Sequence, residues 1–168
     1  MSLRKFFFCI ALIIPGFSAI QAQEGFPENY AGVWKGTLYV FANSALENQV
    51  PMQLTISPGP DQNIWSWKLE YQSPDNPVVK DYRLLAKSKE MGLFALDEGN
   101  GVMIDATYYN PRLYSVFEAN SILLTSIYTM TPNEIVFEVT AGQKADVGQE
   151  VTSHPIASLQ RAVLTRAQ

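Results

Sequence analysis

The chain of 168 residues is 47% hydrophobic and 17% charged, with a formal net charge of −4. Its 12 basic residues are scattered, which excludes the clustered Lys and Arg surfaces that meet nucleic acids or anionic membranes. A single cysteine, Cys9, excludes an internal disulfide and any metal site built from several thiolates.

The first segment has the parts of an export signal in the right order. Arg4 and Lys5 form a cationic start, Phe6 to Ile14 an unbroken apolar run, and Ser18-Ala19-Ile20-Gln21-Ala22 ends on a small residue suited to a signal peptidase. Pro15-Gly16 stops the run far short of the roughly 20 residues that span a bilayer. We therefore expect a signal peptide over residues 1–22 and one domain over residues 23–168, exported by a bacterium to the periplasm or beyond. Cleavage removes Cys9 and two cations, leaving 10 basic against 16 acidic residues, a net charge of −6, and no thiol. Gln23, not a cysteine, follows the cleavage point, so no lipid anchor is expected, and no membrane-spanning segment remains in the mature chain.

From there the sequence alternates apolar and polar residues over short runs, the period of a half-buried strand. Val33 to Phe41 is the first, with Trp34, Leu38 and Val40 on one face and Lys35 and Thr37 on the other. Met52 to Ile56 is the second, and it ends at the turn Ser57-Pro58-Gly59-Pro60-Asp61. Ile64 to Tyr71 alternates almost completely: Trp65, Trp67, Leu69 and Tyr71 against Ser66, Lys68 and Glu70. Further strands are predicted at Asp81 to Lys87, Gly92 to Asp97, Gly101 to Tyr108, Arg112 to Glu118, Ser121 to Met130, Glu134 to Thr140 and Ile156 to Thr165. Short connections such as Asn110-Pro111 and Thr131-Pro132-Asn133 make sequential neighbours antiparallel. A sheet of that size closes to remove its edges. The fold class is all-β: a single antiparallel up-and-down barrel of about eight to ten strands, with its apolar face inward. The segment from Ala141 to Ser153 is a candidate lid, because long loops are often binding elements.

The stretch Tyr30-Ala31-Gly32-Val33-Trp34-Lys35-Gly36-Thr37-Leu38 carries a Gly-x-Trp at the start of the first strand. In this it resembles the lipocalins and their calycin relatives, whose Trp plugs the closed end of a ligand-holding barrel. The resemblance implies that a late Arg packs over Trp34, and both Arg161 and Arg166 are placed to do so. The chain departs from that family in strand count and in having no helix after the barrel. Its ten strands look more like the fatty-acid-binding branch, yet Ala42 to Val50 is short for that branch's helical lid. A ten-stranded haem-binding relative uses one axial His, and His154, in Thr152-Ser153-His154-Pro155, is the single histidine available.

Asp97-Glu98-Gly99-Asn100-Gly101 with Asp105 superficially suggests a calcium loop, but its acids do not follow the required alternate spacing and its glycines suit a hairpin turn. There is no Gly-rich phosphate loop, nucleophile elbow or His-Glu-x-x-His, so no catalysis, metal or cofactor is expected. Trp34, Trp65, Trp67, Tyr71, Tyr82, Tyr108 and Phe117 are the candidate interior residues for a small, largely apolar ligand. The same aromatics would equally fill a barrel whose outer surface binds another envelope protein, and His154 keeps a haem-binding barrel open as a third reading.

Overall fold

The computed structural model describes residues 25–148 and 151–168, and the export signal expected over residues 1–22 lies outside them. Its elements are a short 3₁₀ turn, Glu28–Tyr30, and twelve strands: β1 (Gly32–Ala42), β2 (Ala45–Pro58), β3 (Ile64–Tyr71), β4 (Val78–Ser88), β5 (Leu93–Asp97), β6 (Met103–Tyr109), β7 (Arg112–Ala119), β8 (Ile122–Met130), β9 (Glu134–Gln143), β10 (Ala145–Gly148), β11 (Val151–Ser153) and β12 (Ile156–Arg166). Ten of them form a closed antiparallel barrel in the order β1-β12-β9-β8-β7-β6-β5-β4-β3-β2, and β10 and β11 pair separately. Every barrel strand neighbours its predecessor, with β9 leading to β12 across the β10–β11 hairpin, so the topology is the expected up-and-down meander.

Closure rests on β1, which pairs with β2 on one side and β12 on the other, bringing Trp34 opposite Arg166 and Leu38 opposite Ala162. Gly36 permits this seam, since a Cβ there would collide with the Val163 carbonyl oxygen. The inward face carries Leu38, Leu54, Ile56, Leu84 and Leu164, all buried, whereas Lys35, Lys68, Arg83 and Arg161 stand outside. This is the reverse of a membrane-spanning barrel, whose apolar band faces lipid. No helix among the described residues is long and apolar enough to cross a membrane.

Two connections differ from the sequence expectation. Ala42 to Val50 contains no loop: β1 turns directly into β2 at Asn43-Ser44, both with positive φ (49° and 66°), the geometry of a tight I′ hairpin. The polar run Glu47-Asn48-Gln49 hides this strand extension because it lies at the exposed rim, where alternation has no core to report. Likewise the candidate lid from Ala141 to Ser153 is the end of β9 followed by the β10–β11 hairpin. The Asp97–Gly101 segment is a hairpin turn, as its glycines indicated. Asp97 accepts from the Gly99 N–H and from Arg83, the two contacts, in that order, that hold its carboxyl below the usual carboxylate range, and Gly99 and Gly101 take positive φ.

Candidate functional site

The barrel interior divides into a solid half and a hollow half. At the end where β1 begins, Trp34 is fully buried and its indole Nε1 donates to the Tyr30 carbonyl at 2.8 Å. The Arg166 guanidinium lies 4.4 Å from the Trp34 ring centre, donating from Nη1 to the Ala31 carbonyl (2.6 Å) and from Nη2 to that of Asn29 (3.1 Å). A cation over an indole face is attracted by the ring quadrupole. Gly32 completes the arrangement: its φ is 141°, and a Cβ there would come within 2.6 Å of Arg166 Nη1. The Gly-x-Trp pattern therefore has a local cause, in that the glycine leaves room for the arginine that covers the tryptophan.

Of the two arginine candidates, Arg161 does not take this position. It lies on the outer face of β12 and pairs with Glu138 at 3.4 Å, because the side chains of Ala162, Leu164 and Arg166 share the inward face and Arg161 falls on the other. Above Trp34 the interior is filled. Phe26, from the segment preceding β1, is only 2% exposed; it stacks on Tyr108 (3.9 Å, 9°) and meets Phe94 edge-on (5.1 Å, 89°). Trp65 and Trp67 pack around the same cluster. Trp34, Trp65, Trp67 and Tyr108 are thus interior, but they build the solid half and do not line the cavity. The aromatic that completes this half, Phe26, was missed because it precedes the first alternating run and carries no periodic signal.

The other half holds a cavity of about 120 Å³ that opens to solvent. Its apolar floor comes from Leu69, Leu96, Phe137 and Val139. Tyr71, Tyr82, Phe117 and Tyr128 wall it, the first three being sequence candidates. Lys80, Glu98, Ser115 and Ser126 add polar groups. Burial pushes the Tyr71 hydroxyl up to about 12, and raises Tyr128 further. Burial and then the neighbouring Glu98 carboxylate raise Tyr82 as well. All three hydroxyls are therefore protonated near neutral pH and able to donate. Behind Tyr128 the Trp67 indole ring meets it edge-on at 5.2 Å, and its buried N–H has no hydrogen-bond partner.

The polar lining residues were not sequence candidates, for identifiable reasons. Lys80 falls just before the predicted start of its strand, while Ser115, Ser126 and Tyr128 lie at the alternate, inward positions of β7 and β8 and were legible there as a face. His154 lies between β11 and β12 and is absent from the lining of this cavity, whose 120 Å³ is smaller than a haem macrocycle. No group of three or more His, Cys, Asp or Glu residues capable of holding a metal occurs among the described residues.

No protein-family model matches the chain, and no curated protein does. Among solved structures, the chain is similar to the S-type phycobiliprotein lyase CPES from Guillardia theta, with a TM-score of 0.60 and 12% identity over 92% of this chain and 99% of that one. It is also similar to Rv2717c from M. tuberculosis, with a TM-score of 0.57 and 13% identity over 84% of this chain and 94% of that one. At such identities the likeness is one of fold: the chain is a lipocalin-like, closed ten-strand barrel.

Proposed function

We propose that the protein is exported and binds one small, largely apolar molecule in the open half of its barrel without transforming it. The observation that carries the reading is the cavity itself: an apolar floor, protonated tyrosine hydroxyls on its walls and an opening to solvent, in a barrel packed solid everywhere below. Its volume of about 120 Å³ sets the scale of the ligand. Engineered dry cavities of roughly 150 Å³ accept benzene, so a single ring or a branched chain of similar size fits and a long acyl chain does not. Burying on the order of 200 Å² of apolar surface at ~25 cal/mol per Å² yields about 5 kcal/mol, a dissociation constant of a few tenths of a millimolar.

Trp67, edge-on to Tyr128 in the cavity wall, is a natural reporter. Titrating the purified protein with one-ring compounds is expected to quench its fluorescence and to raise its melting temperature as mass action requires. If no one-ring or branched aliphatic compound does either at ten millimolar or so, the binding function is wrong. Export is supported by the cationic start, apolar run and Ala22 cleavage pattern. N-terminal sequencing of the extracytoplasmic protein is expected to begin at Gln23, and a retained Met1 in that fraction would overturn the signal.

A further inference from the structure

The chemistry of the polar groups that remain unpaired in the cavity deepens the proposed function, on which the following rests. Ser115 is one of two buried polar residues of the described chain, only 4% exposed, and its hydroxyl has no hydrogen-bond partner. It pairs directly across the β7–β8 ladder with Ser126, which adjoins the Tyr128 hydroxyl. A buried hydroxyl without a partner costs free energy, so Ser115, facing the cavity beside the half-buried Ser126, marks where a hydrogen-bonding group of the occupant sits.

Lys80 lies on β4, three strand steps round the wall from β7 and four from β8, and so faces the serine pair from across the lumen. It projects from an inward position of β4, shared with Tyr82 and Leu84, yet forms no ion pair or hydrogen bond among the described residues. The other charged group of the lining, Glu98, lies opposite Tyr82, beside a hydroxyl that stays protonated. Donors therefore predominate around the cavity: one free ammonium, the Tyr71 and Tyr128 hydroxyls and the serine pair. Such a site favours oxygen acceptors, with one negative charge on the Lys80 side.

We propose that the ligand is a single-ring aromatic carboxylate bearing a hydroxyl on the far side of its ring, the carboxylate met by Lys80 and the hydroxyl by Ser115 and Ser126. The ring fills the 120 Å³ between the Tyr82, Phe117 and Tyr128 walls, while the carboxylate stays in the mouth, where water still reaches it. Keeping the charge at the opening avoids the desolvation that a buried carboxylate would suffer.

The test is calorimetric titration of the purified protein with 4-hydroxybenzoate, benzoate, phenol and benzylamine. The hydroxy acid is expected to bind most tightly and the amine most weakly. Lys80→Met is expected to weaken both acids about tenfold and leave phenol unchanged, as loss of one partly solvated charge-assisted contact would. Glu98→Gln is expected to tighten the acids two- to threefold by removing a like charge, an opposite sign that a merely structural role would not produce. The double variant Ser115→Ala and Ser126→Ala is expected to bring 4-hydroxybenzoate down to the level of benzoate. Phenol or benzylamine binding as well as the hydroxy acid, with Lys80→Met indifferent, would overturn the ligand class while leaving the cavity a binding site. Absence of heat and of thermal shift with every compound would remove both.

Discussion

Truncating Phe26 to alanine tests whether the segment before β1 is a structural plug of the barrel. The ring is 2% exposed and packed against Tyr108, Phe94, Trp67 and Tyr30 at centroid distances of 3.9, 5.1, 6.4 and 6.2 Å. Removing it leaves a void on the order of 100 Å³, which at ~24 cal/mol per Å³ costs about 2.4 kcal/mol beyond the lost transfer energy. The lost aromatic pairings add roughly 0.5–1.5 kcal/mol. Against this, the plug belongs to a segment outside the barrel wall that can slide inward by a fraction of the void. The expected loss is therefore about 3–5 kcal/mol, which for a domain of this size lowers the melting temperature by roughly 10–15 °C. Urea unfolding followed by tryptophan fluorescence measures it, with the slope unchanged if only stability has moved. A loss below about 1 kcal/mol would refute the reasoning, because it would mean that the solid half holds together without its central ring.

Trp34→Ala is expected to cost about 3–5 kcal/mol, while Tyr39→Ala, at a 40% exposed position of the same strand, costs under about 1; equal small effects in chemical denaturation would count against Trp34 as the closure residue. Arg166→Lys is expected to lose about 1–2 kcal/mol, since an ammonium cannot span the Asn29 and Ala31 carbonyls as the guanidinium does, and an unchanged midpoint would show that Arg166 merely decorates the surface. Gly32→Ala is expected to destabilise by about 1–3 kcal/mol through strain at φ 141° and the clash with Arg166, and pairing it with Arg166→Ala should recover only the clash component. Alkaline titration reports on the cavity: Tyr71 ionises at about 12 in the folded chain against 10 when unfolded, so its contribution is intact below pH 10 and is lost as pH rises from 10 through 12. Unfolding midpoints that do not fall across that window, or tyrosine absorbance that titrates in full near 10, would contradict a buried Tyr71.

The sequence and the structure agree where a side chain's environment follows from its position in an alternating run. Ile64 to Tyr71 is the clearest case: Trp65 and Trp67 had to face the interior, because a one-residue slip would put two indoles in water. Agreement fails at the rim. Glu47 to Gln49 and Val78 to Lys80 belong to strands, but neither face is buried at that height, so the period of two disappears from the residues while the ladder continues.

By itself, then, the sequence determined a closed, apolar-cored β-barrel, the inward face of its strands and the glycine–tryptophan start, because burial on one side of a strand writes itself into alternate residues. It left open which arginine covers Trp34, since Arg161 and Arg166 differ by an odd number of positions and only the β1–β12 register decides which points inward. Nor did it separate the aromatics that fill from those that line: Trp67 and Tyr71 share a face on one strand, yet one is locked against Phe26 and the other borders open space. That distinction depends on how far a segment outside the barrel wall reaches into it, a relation between distant parts of the chain that only the tertiary structure contains.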